Sequence, residues 1–191
     1  SACLVGSEMC IRDRSKGNVI DPLELIEKYS ADALRFTLLS MASPGRDVKL
    51  SEDRVKGYRN FLNKIWNANN FLIQNDCKFE NIETPNDLKL NINKWIFVEF
   101  TNTNEKIKKS IDSYRFDEAA RIAYQFVWHS FCDWYLELSK TVFYSENNEN
   151  IEETRNVASF IFTQILVILH PFIPFLTVSY THLTLPTNKA V

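Results

Sequence analysis

Residues 51–75 carry the most regular pattern in the chain, and it is the pattern of one long helix. Ser51 is a favoured N-cap residue, and Glu52 and Asp53 occupy the first turn, where the helix dipole favours negative charge. Apolar residues then recur at helical spacing and predict a buried stripe. They are Phe61, Ile65, Ala68 and Leu72. A helix of this length with one apolar face is expected to pack among other helices.

A second stripe runs beside the apolar one on the same predicted helix. It consists of Asn60, Lys64, Asn67 and Phe71, at the spacing i, i+4, i+7, i+11. Amides, a cation and an aromatic ring on one face are suited to hydrogen bonding and stacking with unpaired nucleotides. The pattern is equally that of a solvated face whose Phe71 leans into the core. The residues alone leave both interpretations open.

The rest of the chain predicts further helices separated by polar or proline-containing loops. Four glycines in 191 residues argue against a glycine-rich phosphate loop and against a turn-rich β-protein. We therefore predict an all-α fold, an antiparallel helical bundle preceded by a short helical connecting segment. Further helices are expected over 22–29, 31–42, about 88–113, 116–143 and 152–169. Leu23, Ile26, Trp95 and Val98 are among the expected core residues.

The charge of the chain excludes a strong global attraction to nucleic acid. The formal net charge is -2, but residues 46–64 hold six basic and three acidic side chains. Any contact with a polyanion is therefore expected to be local, on and just before the long helix.

The two ends of the chain resemble translated sequencing adapters. Residues 3–13 read CLVGSEMCIRD and residues 178–187 read VSYTHLTLPT. We therefore expect 1–14 and 178–191 to be non-native tails that do not pack on the fold. Residues 15–50 are predicted to form the connecting part and residues 51–177 the bundle. The two cysteines between the tails, Cys77 and Cys132, are expected to be reduced core residues.

Two other stretches have alternative interpretations. His129, Asp133 and Glu137 share a helix face at i, i+4, i+8, which suits either a metal or acid–base trio or a polar surface between helices. Residues 157–176 are almost wholly apolar and long enough to span a bilayer. Thr163, Gln164 and His170 within this stretch favour a buried core helix over a membrane span.

Six short stretches, in order along the chain, resemble sequence motifs of one known enzyme family. They are SKGNVIDP (15–22), ADALRF (31–36), GYRNF (57–61), NKIWNA (63–68), FCDWYLEL (131–138) and HPFIPF (170–175). Together they resemble the class I aminoacyl-tRNA synthetases, and the valyl-tRNA synthetases in particular. The first stretch is similar to the end of the KMSKS signature of these enzymes and to the residues just after that signature.

The resemblance implies a parent enzyme that activates valine with ATP and Mg²⁺ and transfers it to tRNA. Ser15 and Lys16 would be the remnant of the KMSKS loop, so no catalytic set is complete and the fragment is expected to be inactive alone. The stripe on the long helix would face the anticodon loop: Lys64 would meet a phosphate or base edge, Asn67 would hydrogen-bond a base, and Phe71 would stack. Asn60 begins the same stripe. Relatives usually carry arginine where this chain has Asn70, so one cationic contact is missing.

Two functions of different classes are consistent with these features. The first is a fragment of a valine–tRNA ligase that binds valine tRNA and needs no cofactor or metal itself. It is expected to be a cytoplasmic monomer without affinity for DNA or membranes. The second is a non-catalytic helical interaction module, anchored in a membrane through 157–176.

Overall fold

The computed structural model describes residues 21–43, 50–79, 84–85 and 87–184. Every regular element in these ranges is a helix, which confirms the predicted all-α fold. The helices are α1 (Pro22–Tyr29), α2 (Ala31–Met41), α3 (Glu52–Gln74), α4 (Asn91–Asp112), α5 (Phe116–Gln125), a π-helical segment (Phe126–Tyr135), α6 (Leu136–Phe143), α7 (Asn148–Leu169) and α8 (Pro174–Thr184). The predicted KMSKS remnant, Ser15 and Lys16, and the predicted tail 1–14 lie outside the described residues.

Helix α3 is the helix that the long apolar pattern predicts. Phe61, Ile65, Ala68 and Leu72 are all buried, so the predicted core stripe is correct. Burial of each large apolar side chain stabilises the fold by about 1.5–3 kcal/mol. Ser51 precedes the helix in extended backbone, but its side chain makes no capping hydrogen bond.

An aromatic cluster joins the short N-terminal helices to the bundle. The ring of Phe36 on α2 lies 4.9 Å from that of Tyr58 and 5.3 Å from that of Phe61, centroid to centroid. Phe61 in turn lies 4.8 Å from Tyr124 on α5. Tilted pairs of this kind add about 0.5–1.5 kcal/mol each beyond their burial. Leu25 and Tyr29 of α1 belong to the same buried cluster, so α1 and α2 share one core with the bundle.

Residues 116–143 form one continuous rod with a π-helical middle. At its end the Leu136 N–H donates to the carbonyl of Phe131, five residues back. The wider turn places Phe126, Val127, Phe131 and Tyr135 in the core. π-Helical turns inside α-helices are frequently found at functional sites.

Two helices begin at carboxylates supplied by other helices. Glu153 on α7 accepts hydrogen bonds from the backbone N–H groups of Lys89 and Leu90, each at 3.0 Å, at the start of α4. Asp32 on α2 accepts them from Phe175 and Leu176 at the start of α8, at 3.3 and 2.7 Å. Because helix N-termini have unpaired N–H groups and a positive dipole end, these carboxylates fix the relative positions of the helices.

The Glu153 carboxylate should make the stability of the fold depend on pH. Its partial burial raises the pKa, but hydrogen bonds from Asn93, Leu90 and Lys89 outweigh this and hold the pKa below its ordinary value. A lowered pKa in the folded state contributes stability above the unfolded pKa, and that stability is lost as the pH falls through the folded pKa. Glu153→Gln should lower the free energy of unfolding by about 1 kcal/mol near neutral pH.

Thermal melts between about pH 7 and pH 3 measure this effect. The Glu153→Gln chain should lose less stability on acidification than the wild-type chain, while Glu146→Gln, at an exposed site in the loop before α7, serves as the control. Parallel acid curves for wild type and Glu153→Gln would show that this carboxylate does not cap α4.

Several predicted core positions and one predicted boundary differ in the structure. Leu23 and Ile26 face solvent while Leu25 and Tyr29 are buried, and Trp95 and Val98 are 40% and 58% exposed. Residues 157–176 do not form one helix, because α7 ends at Leu169 and α8 begins at Pro174. Among the described residues, no helix has the length and apolarity needed to cross a membrane. Helix α8 continues past residue 178, where the second tail was predicted to begin.

Candidate nucleic-acid interface

Lys64 sits in the seam between α3 and the π-helical segment. Its ammonium group pairs with the carboxylate of Asp133 and lies 4.1 Å from the centre of the Trp128 ring. The Lys64 side chain is 27% exposed. The cation is therefore positioned by an ion pair and an aromatic face while remaining at the surface.

Asp133 is shared between two cationic or protonatable partners. Its Oδ2 lies 3.1 Å from Nδ1 of His129, one turn earlier on the rod. The hydrogen bond from Lys64 is the main reason that the pKa of Asp133 is lowered; burial opposes it, and His129 adds to it. Asp133 is thus ionised at neutral pH, and it offsets the charge of Lys64.

The structure brings together two groups of residues that the sequence suggested separately. Lys64 from the α3 stripe meets Asp133 from the predicted trio, and Asp133 contacts His129. The third member of the trio, Glu137, pairs instead with Lys140, at 2.7 Å. The trio is therefore not a three-residue site; two of its members belong to a polar surface between helices.

The two amides of the stripe are open to solvent. Asn60 and Asn67 are exposed on α3, on either side of Lys64 along the helix. Asn70, at the position where an arginine was expected, is half-buried. The exposed part of this surface therefore presents amide, cation and amide within two turns. We call Asn60, Lys64 and Asn67 the α3 face.

Phe71 packs against other side chains of the protein, unlike the exposed amides of its stripe. It is half-buried, and its ring lies 6.1 Å from that of Phe143 at the end of α6. The ammonium of Lys140 lies 5.6 Å from the centre of the ring. Stacking of a base on Phe71 stays a prediction, and it requires Lys140 to leave the ring.

Sequence reasoning did not find the partners of Lys64. Asp133 and Trp128 lie more than sixty positions further along the chain, and no periodicity within one helix links such residues. The i, i+4 spacing of His129 and Asp133 was visible, and it correctly placed both on one face of the rod.

Comparison with known proteins identifies the domain. The family model described as the anticodon-binding domain of tRNA ligase matches residues 93–188, about half of the chain. The chain belongs to the tRNA ligase family. A second model, of class I tRNA synthetases (I, L, M and V), matches residues 6–51. Both matched ranges run past the predicted domain boundaries at residues 14 and 178, and the division into tails, connecting part and bundle stays a prediction.

The relatives of this tRNA ligase chain are valine–tRNA ligases. It is 68% identical over 164 residues to the valine–tRNA ligase of Pelagibacter ubique, and the match covers 86% of this chain and 19% of that protein. It is 47% identical over 176 residues to the enzyme of Brucella suis, covering 92% and 19%. The chain thus spans about one fifth of the length of the curated relatives it matches. The predicted resemblance to valyl-tRNA synthetases is confirmed, and the ligase interpretation is favoured over the interaction module.

A solved structure shows that the fold is the same. LeuRS of Agrobacterium radiobacter K84, in a ternary complex with tRNA and LeuAMS, superimposes with a TM-score of 0.67 at 18% identity. The match covers 93% of this tRNA ligase chain and 21% of the LeuRS chain. At this identity the likeness concerns the helical architecture.

Proposed function

We propose that this chain is the anticodon-binding part of a valine–tRNA ligase and that it binds the anticodon arm of valine tRNA through the α3 face. The observation that carries the proposal is the surface cation of Lys64 between the exposed amides of Asn60 and Asn67. Amides read the edges of unstacked bases by hydrogen bonding, and a lysine ammonium attracts phosphates. The whole ligase would activate valine with ATP and Mg²⁺ in the cytoplasm, as a monomer, and transfer it to this tRNA.

In this proposal the residues of the α3 face have different roles in RNA binding. Lys64 contributes charge, which acts on any RNA, while Asn67 contributes a base-edge hydrogen bond, which acts on a particular base. Phe71 would support the anticodon loop by stacking if Lys140 moves away. Within the described ranges, no group of three His, Cys, Asp or Glu side chains is arranged to hold a metal ion.

A fluorescence titration tests the proposal. The 191-residue chain is added to a labelled hairpin that carries the anticodon stem and loop of valine tRNA. We expect saturable binding that weakens as salt is added, because phosphate contacts release counterions. Binding no tighter than to a hairpin of the same length with an unrelated loop would contradict the proposal.

Removal of the carboxylate that competes for Lys64 should strengthen RNA binding. Asp133→Asn frees the ammonium from its ion pair and removes a negative charge from the surface that RNA approaches. We expect the affinity for the anticodon arm to rise a few-fold at low salt. The slope of log affinity against log salt should steepen by about 0.7, the value for one additional phosphate contact on a single strand.

Glu137→Gln is a matched control for this measurement. It removes the same charge from the same rod, but Glu137 pairs with Lys140 and not with Lys64. If Asp133→Asn and Glu137→Gln change binding and salt slope equally, the loss of a negative charge from the rod, and not the release of Lys64, explains the stronger binding.

A further inference from the structure

A second polar surface lies beside the α3 face, in the groove between α4 and the rod. The groove has a volume of about 690 Å³ and is open to solvent. Its walls include Lys106 and Lys109 from α4 and Arg121 and His129 from the rod. None of these residues belongs to the α3 face.

The two lysines of the groove are not neutralised by the protein. Lys106 and Lys109 are exposed, and within the part of the chain that the structure describes neither forms an ion pair. Arg121 lies 3.7 Å from Glu118 on its own helix, a weak surface pair. Two lysines three residues apart on one helix face repel each other, and an anion between them relieves that repulsion.

The charges are not spread evenly along the groove. Because α4 and α5 form an antiparallel hairpin, the later residues of α4 face the start of α5. This end of the groove holds Lys106, Lys109 and Arg121 against the single carboxylate of Glu118, while Glu99 lines the other end beside Ser130. The cationic end is therefore the part suited to a polyanion.

The groove is connected to the α3 face through His129. This residue lines the groove and also contacts Asp133, which pairs with Lys64. An RNA strand lying on the α3 face therefore reaches the groove by crossing His129. His129 is next to Ser130, at the Glu99 end of the groove, so a strand that enters there runs along the rod from His129 to Arg121 before its phosphates reach Lys106 and Lys109.

We propose that this groove binds the sugar–phosphate backbone of the same RNA, with Lys106 and Lys109 as phosphate-contacting residues. The inference rests on the proposed function and adds a second, sequence-independent contact surface to it. Phosphate contacts set the register of an RNA and carry no sequence information, whereas base contacts specify it. The groove should therefore add affinity for any anticodon arm without changing the preference for one anticodon.

The test is a salt-dependent titration of the 191-residue chain with two hairpins. One carries the anticodon arm of valine tRNA, and the other is the same arm with the three anticodon bases replaced. Lys106→Ala with Lys109→Ala should weaken binding to both hairpins about tenfold at low salt and reduce the salt slope by about 1.5. The ratio of the two affinities should stay at the wild-type value.

Lys94→Ala with Lys108→Ala is the matched control, since both lysines are exposed on α4 and neither lines the groove. It removes the same charge from the same helix and should reduce affinity and slope much less. Equal effects of the two double variants would overturn the groove proposal while leaving the proposed function standing. If the wild-type chain binds neither hairpin, the proposed function is itself wrong and the groove proposal falls with it.

Discussion

Replacement of Ile165 by aspartate is expected to unfold the chain. Ile165 is 1% exposed near the C-terminal end of α7, the helix that packs against α3, α4 and α6. An aspartate there would place a carboxylate in an apolar environment, at a cost of several kcal/mol even after its pKa rises. Because small domains are stable by about 5–15 kcal/mol, this one change is comparable to the whole free energy of unfolding.

Val167 provides the control for this prediction. It lies two residues further along the same helix and is 61% exposed, so Val167→Asp adds the same charge without burying it. Urea unfolding followed by circular dichroism should show Val167→Asp within about 0.5 kcal/mol of wild type. If Ile165→Asp unfolds at the same urea concentration as Val167→Asp, Ile165 is not buried in the core of the folded chain.

Loss of both polar contacts on the α3 face should abolish most of the RNA binding. Lys64→Ala with Asn67→Ala removes one phosphate-attracting cation and one base-reading amide. We expect a loss of about 2 kcal/mol, or roughly thirtyfold in affinity, for the anticodon arm of valine tRNA. The fold should survive, because Asn67 is exposed and the Lys64–Asp133 pair, partly open to solvent, contributes no more than about 1 kcal/mol.

A control with the same chemistry is available on α4. Asn91 and Lys94 are an exposed amide and cation three residues apart, as Lys64 and Asn67 are. Asn91→Ala with Lys94→Ala should change the affinity less than about threefold. A double variant at residues 64 and 67 that binds like this control, with an unchanged melting temperature, would show that RNA does not touch the α3 face.

The sequence predicts helices well where the apolar stripe is unbroken and poorly where polar residues enter the core. Helix α3 has the expected stripe because its buried positions are almost all apolar. Helix α4 buries Asn93, Ile96 and Phe100 instead of Trp95 and Val98. Asn93 accepts a hydrogen bond from the buried Tyr135 hydroxyl at 3.0 Å and donates to Glu153 at 2.9 Å. A polar residue satisfied by distant partners rotates the helix away from its apparent apolar face.

The same limit applies to the candidate site. The residues of the α3 stripe could be predicted from the sequence, because they lie on one helix and recur at helical spacing. The pairing of Lys64 with Asp133 depends on how α3 packs on the rod, and on a π-helical turn that the sequence did not indicate. The buried face of a short helix is hard to predict for a related reason. Helix α1 has only eight residues, so a small rotation about its axis decides whether Leu23 and Ile26 or Leu25 and Tyr29 are buried.

The most direct test is the ratio of the affinities for the cognate and the altered anticodon arm, because the proposed contact of Asn67 is with an anticodon base. The affinities of wild type, Asn67→Ala and Lys64→Ala are measured for the valine anticodon arm and for the arm with replaced anticodon bases. Asn67→Ala should weaken binding to the cognate arm alone, by about 1–1.5 kcal/mol, and reduce the ratio of the two affinities. Lys64→Ala should weaken both equally and leave the ratio unchanged. If both variants bind the cognate arm as tightly as wild type, the α3 face does not read the anticodon.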